Sequence, residues 1–109
     1  MSRKGTPDTE FFWELVEPML GEPGIDEGTL MGFPCLRVNG DFFATCDHRS
    51  GHLIVKIHRD RVGELIDDGV GQSFAPAGRV FKEWVLIEER DEETWLRLLA
   101  EARTFVGGP

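Results

Sequence analysis

Cys35-Leu36-Arg37-Val38-Asn39-Gly40-Asp41-Phe42-Phe43-Ala44-Thr45-Cys46 is the stretch that decides the fold. Two apolar runs flank an Asn-Gly pair, and both of those residues tolerate the positive φ that a type I′ hairpin turn demands. Widening to residues 31–57 adds a third run, His52-Leu53-Ile54-Val55-Lys56-Ile57, beyond the turn residues 47–51. Three short apolar runs joined by two turns predict an antiparallel meander at the centre of a small domain.

Working outward, Thr6 is placed to cap a helix, with Pro7 at its first position and Asp8 and Glu10 in its first turn. Phe11, Phe12, Leu15, Val16, Met19 and Leu20 recur at helical spacing as one apolar stripe. Pro18 removes a backbone hydrogen bond and predicts an end or kink near Glu17. Residues 1–5 read as a loose arm and residues 21–24 as a break. Residues 27–31 read as a first short strand, which Gly32-Phe33-Pro34 bends into the meander.

Downstream, residues 60–68 predict a short helix with Val62, Leu65 and Ile66 facing inward and Gly69 ending it, weakened by Gly63. Residues 70–79 are rich in glycine and proline and read as a loop. Trp84-Val85-Leu86-Ile87 reads as a buried strand, with Trp84 a core anchor. Asp91 is placed to cap the last helix, with Glu92 and Glu93 at its positive end. Trp95, Leu98, Leu99, Ala102, Phe105 and Val106 form the inner stripe of that helix, and Gly107-Gly108 ends it.

The order is therefore helix, strands, helix, strand, helix. Hairpin-paired strands make this an α+β fold: an antiparallel sheet of the meander plus one later strand, with helices packed on one face. The other face is left partly free, a common place for self-association or ligand binding.

At 109 residues the chain reads as one domain spanning 1–109, long enough to bury a core without staples. The formal net charge is −8, and it is uneven: residues 1–36 and 62–109 each sum to −5, while residues 37–61 sum to +2. An acidic chain is repelled by a phosphate backbone, so direct nucleic-acid binding is not expected.

The cysteines are Cys35 and Cys46. A two-residue turn at Asn39-Gly40 places Cys35 opposite Ala44, with Cys46 one diagonal step away on the same face. Diagonal neighbours are about 7–8 Å apart, too far for easy bridging. A three-residue loop would put the thiols on opposite faces. Two thiols, no signal peptide and no long apolar run predict a soluble protein of a reducing, cytoplasmic compartment, without a membrane segment.

Chemistry-bearing residues are few. Cys46, Asp47, His48, His52 and His58 are the only cluster of metal-ligand types. Cys46, His48 and His52 around one turn make a candidate metal set, although no recognised ligand spacing is present, and an exposed polar turn explains the same residues. Ser50 lies near His48 and His52, with no acid partner or oxyanion hole marked. Gly69-x-Gly71 lacks the strand-to-helix context of a phosphate loop. Arg37 and Lys56 each alternate with apolar neighbours and belong on the open face of the sheet. With Arg79 and Lys82 they could form an anion- or partner-binding patch; the plainer reading is solvated side chains. No catalytic residue and no cofactor are indicated.

The run Met31-Gly32-Phe33-Pro34-Cys35-Leu36-Arg37-Val38-Asn39-Gly40-Asp41-Phe42-Phe43-Ala44 resembles the TfoX N-terminal domain (TfoX/Sxy) family and its relatives of the MmcQ/YjbR type. The resemblance continues through Leu53-Ile54-Val55-Lys56, Val62-x-x-Leu65-Ile66, Phe74-Ala75-Pro76-x-Gly78-Arg79-x-Phe81-Lys82-Glu83-Trp84-Val85 and Ala102-Arg103-x-Phe105. It covers roughly residues 8–106. The family usually has Met-Phe-Gly where this chain has Met31-Gly32-Phe33. The resemblance implies a compact α+β domain of the secretion-chaperone-like type and supplies no catalytic residues. In the competence regulators such a domain precedes a helical C-terminal domain, which these 109 residues lack. The expectation is a standalone, non-enzymatic bacterial module, regulatory or interacting with a protein partner or with itself. The alternative is a small-ligand or metal-binding protein.

Overall fold

Pro18 and the Asn39-Gly40 pair set two boundaries in the chain as their chemistry requires. The computed structural model describes residues 9–30, 33–47, 50–75 and 78–108, with backbone alone at Leu30 and Phe33. Along the chain these form α1 (Glu10–Val16), a 3-10 turn (Glu17–Gly21), β1 (Ile25–Leu30), β2 (Phe33–Val38), β3 (Asp41–Cys46), β4 (Leu53–Lys56), α2 (Arg59–Asp67), β5 (Gln72–Phe74), β6 (Phe81–Ile87) and α3 (Glu92–Gly107).

Pro18 falls in the opening of the 3-10 turn, where its missing N–H costs nothing, and α1 stops just before it. Thr9 precedes Glu10 at the start of the described chain; the expected cap Thr6, with Pro7, Asp8 and residues 1–5, lies outside the described residues. Asn39 and Gly40 have φ of 53° and 89°, the pair of positive values a type I′ turn needs.

The strands form one six-stranded antiparallel sheet in the order β1-β2-β3-β4-β6-β5. The fold is α+β. The meander is joined by two later strands, where the sequence predicts one. Gln72-Ser73-Phe74 is a short edge strand beside β6, although its composition reads as loop. The first strand starts earlier than expected, at Ile25, and Pro34 lies inside β2 opposite Thr29.

The β2–β3 register departs from the simple hairpin. Leu36 pairs with Ala44 but Arg37 pairs with Phe42, so Phe43 is the extra residue of a bulge. Cys35 consequently faces Thr45 and not Ala44. Phe43 and Ala44 both turn into the core, and the two cysteines end on opposite faces. Cys46 joins the core cluster; Cys35 does not, though both are buried and neither is in a disulfide.

All three helices pack on one face of the sheet, over Leu36, Val38, Phe43, Leu53, Val55, Val85 and Ile87. Trp95 of α3 is fully buried at the centre. Its indole N–H donates to the Glu89 carbonyl at 2.7 Å, and Phe11 meets it edge-on at 4.8 Å. Phe12, Trp13 and Val16 are the buried residues of α1; Trp13 lies off the expected stripe and is buried too.

On α2, Val62 and Leu65 are buried but Ile66 is exposed, because the short helix leans on β5 and β6 along a narrow line. His58 caps α2 through Nδ1, which accepts from the Asp60 N–H at 3.1 Å. Gly69, at φ 76°, ends it, and the Val70 N–H reaches back to the Leu65 carbonyl. On α3, Phe105 faces outward and packs edge-on against the His58 ring. The Asp91 carboxylate accepts from the Thr94 hydroxyl and makes no bond to a helical N–H. No helix of the described residues is long and apolar enough to cross a membrane.

Candidate functional site

Strand pairing places Asp26, Gly28, Cys35, Arg37, Phe42, Thr45, Ile54, Lys56, Trp84, Leu86 and Gln72 on the face turned away from the helices. None of these side chains belongs to the core cluster. At the centre of this face Cys35 and Ile54 are buried at 2% and 4% exposure, packed among their neighbours on the twisted sheet.

One end is aromatic. Phe74 of β5 lies 5.9 Å from the Phe81 ring and 6.5 Å from Trp84. Trp84 is therefore half-buried on the outer face and is not the core anchor its apolar run suggests. Phe81 and Val80 are exposed at 39% and 54%. The Arg79 guanidinium sits 5.7 Å from the Phe81 ring centroid, a cation–π contact.

The four candidate cations are not gathered at one point. Lys56 pairs directly with Trp84 across β4 and β6 and is half-buried. Among the described residues no carboxylate pairs with it. Arg79 and Lys82, both exposed, lie toward the aromatic end. Arg37 stands two strands from Lys56, about 10 Å by strand spacing, and its charge is already taken. Its Nε donates to Asp26 Oδ1 at 3.2 Å and its Nη2 to Asp26 Oδ2 at 2.6 Å. That bond and charge raise the Arg37 guanidinium further above its ordinary pKa. Gly28 leaves the space for this reach: a Cβ there would stand 2.7 Å from Arg37 Nε.

The candidate metal residues are placed differently. His48 lies outside the described residues. Cys46 faces the core, where burial first, and the Asp47 charge second, push its thiol up to about 12. A metal takes the thiolate, which this environment disfavours. His52 is half-buried, and its backbone N–H donates to Ser50 Oγ at 3.3 Å. Ser50 serves the turn: its own N–H donates to Asp47 Oδ1 at 3.2 Å, and its carbonyl accepts from Arg90 Nη2 at 3.0 Å. No group of three or more His, Cys, Asp or Glu able to hold a metal occurs among the described residues.

On the helical side, a shallow groove of about 590 Å³ runs between α2 and α3 past His58, Arg61, Arg97 and Phe105. A second, of about 610 Å³, is rimmed by Asp68, Glu88, Glu89 and Asp91. The outer aromatic cluster was missed in the sequence because Phe74 lies in a segment that reads as loop, and Trp84 in a run apolar on both faces.

No protein-family model, curated protein or solved structure matches the chain.

Proposed function

We propose that this chain is a non-enzymatic protein-interaction module of the cytoplasm, similar to the TfoX N-terminal domains with their secretion-chaperone-like architecture, and that it meets its partner on the uncovered face of the sheet. The observation that carries this reading is the run of ring contacts from Trp84, on the face no helix covers, through Phe74 to the exposed Phe81. Clustered aromatic surface on a soluble domain is costly to leave wet and marks contact sites. Among the described residues the face offers apolar contact and cations, with no accessible nucleophile beside a base.

A photo-crosslinking amino acid placed at Phe81, compared with one at the exposed Leu96 of α3, tests the reading in the host cell. Discrete protein adducts from Phe81 and none from Leu96 are expected. Adducts from both positions, or from neither, would sink it, as would robust turnover of a metabolite by the pure protein.

A second reading, capture of a small anion on the same face, is favoured by Lys56 standing beside Trp84 without a carboxylate partner among the described residues. Native mass spectrometry of protein purified gently from its host separates the two. A bare mass favours protein contact, and a discrete small-molecule adduct favours capture.

A further inference from the structure

Resting on the reading of the outer sheet face as a protein-contact surface, we infer that its partner is an acidic segment of another protein, bearing aromatic or aliphatic side chains among its carboxylates. The charge of the face is the reason. The chain carries −8 overall, yet outward strand positions of the described residues hold a single carboxylate, Asp26, and Arg37 occupies both of its oxygens. Lys56, Arg79 and Lys82 remain. The uncovered face is thus the positive side of an acidic molecule, and complementary charge steers and selects partners.

Lys56 sharpens this. It is half-buried beside Trp84, so a carboxylate reaching it from above would be partly desolvated along with it. Charge-assisted bonds in such places are stronger than at an open surface. Next to it stands Trp84, and beyond Trp84 the rings of Phe74 and then Phe81 extend the surface offered to an apolar side chain. A segment alternating acidic and apolar residues satisfies both features; a purely acidic or a purely apolar one satisfies half.

Other occupants fit less well. A second copy joined face to face would oppose Lys56, Arg79 and Lys82 with themselves, and joined face to acidic flank would make a contact that does not close. A polynucleotide meets three cations and then the surrounding negative charge. Addition as a strand along β1 would bring an acidic segment against Asp26 and Glu27.

The test is selection of a random displayed peptide library on the intact chain, in parallel on Lys56→Glu and on Trp84→Ala. Acidic-apolar peptides should be enriched on the wild type, and a synthetic one should shift amide resonances of β4 and β6. It should bind Lys56→Glu about tenfold more weakly or worse. Exchanging its carboxylates for lysines should restore binding to that variant, which a merely misfolded variant could not do. Enrichment at this face without an acidic excess overturns the partner chemistry and leaves the contact surface standing. Peptides that bind elsewhere, or none, overturn both. A Trp84-dependent homodimer by sedimentation, or oligothymidylate bound at these residues, overturns the inference as well.

Discussion

Arg61 near the start of α2 grips Glu101 of α3 through both carboxylate oxygens, Nε to Oε2 and Nη2 to Oε1, each at 3.0 Å. Its remaining Nη1 donates to Glu64 Oε1 at 3.1 Å. Glu101, by hydrogen bond, raises the Arg61 guanidinium above its ordinary pKa. The fork joins two helices that otherwise meet through the core. Both side chains are about one-third exposed, so solvent screens the pair. A double-mutant cycle with Arg61→Met and Glu101→Gln should return a coupling of about 0.5–1 kcal/mol that shrinks in high salt. A salt-independent coupling of several kcal/mol would contradict the geometry.

Two glycines should respond to alanine with opposite signs. A Cβ on buried Gly71 would stand 2.6 Å from Val85 Cγ2 and 3.2 Å from Ile87 Cδ1. Gly71→Ala should therefore destabilise by about 1–3 kcal/mol through overpacking. Gly63 lies mid-way along α2, and a methyl added there would meet nothing within 4 Å. Gly63→Ala should stabilise by up to about 1 kcal/mol, from helix propensity alone. Urea unfolding of both variants checks the pair, and equal shifts would refute it.

Trp95→Phe removes packing at a fully buried position and takes the indole donor from the Glu89 carbonyl, which keeps its bond from the Asp91 N–H. A loss of about 2–3 kcal/mol is expected. Thermal and denaturant unfolding followed by circular dichroism measure it, and a neutral result would mean the indole bond contributes nothing.

Phe43 and Phe81 should behave as different residues. Phe43 is fully buried in the β3 bulge, and Phe81 is 39% exposed. Phe43→Ala should cost about 3–5 kcal/mol, and Phe81→Ser should move stability by no more than about 0.5 kcal/mol. A severe loss from Phe81→Ser would show that the outer aromatic cluster is structural.

The Cys46 thiol sets a pH dependence. Its pKa is raised to about 12 in the folded chain, from 9.0 for an ordinary thiol, chiefly by burial. The folded state therefore holds this proton more tightly than the unfolded state. The contribution is complete below the ordinary thiol pKa and fades as pH rises from there toward the folded value. Stability of the wild type should fall more steeply across that window than stability of Cys46→Ala. Thiol labelling at neutral pH should be slow in the native protein and fast in denaturant; equal rates would place the thiol at the surface.

Much of the architecture was legible because its signals are local. Asn39-Gly40 needs no distant contact to prefer a type I′ turn, and Pro18 ends α1 whatever surrounds it. The stripe of Trp95, Leu98, Leu99 and Ala102 requires only helical periodicity. The candidate cations on the outer face were legible too, since Arg37 and Lys56 alternate with apolar residues in strands. The candidate metal turn was weaker, because sequence spacing says nothing of Cys46 pointing into the core.

By itself, then, the sequence determined the α+β class, the meander, its turn and the helix that seals the core. All of these follow from backbone preference and from apolar spacing within a single element. Only the tertiary structure decided that Phe43 bulges out of register, that Gln72-Ser73-Phe74 becomes a strand, and that Trp84 faces away from the helices. Each of these depends on hydrogen bonds and packing contributed by another strand. A run such as Trp84-Val85-Leu86-Ile87 is apolar on both sides of the sheet, so only its pairing with β4 and β5 selects which side meets the core.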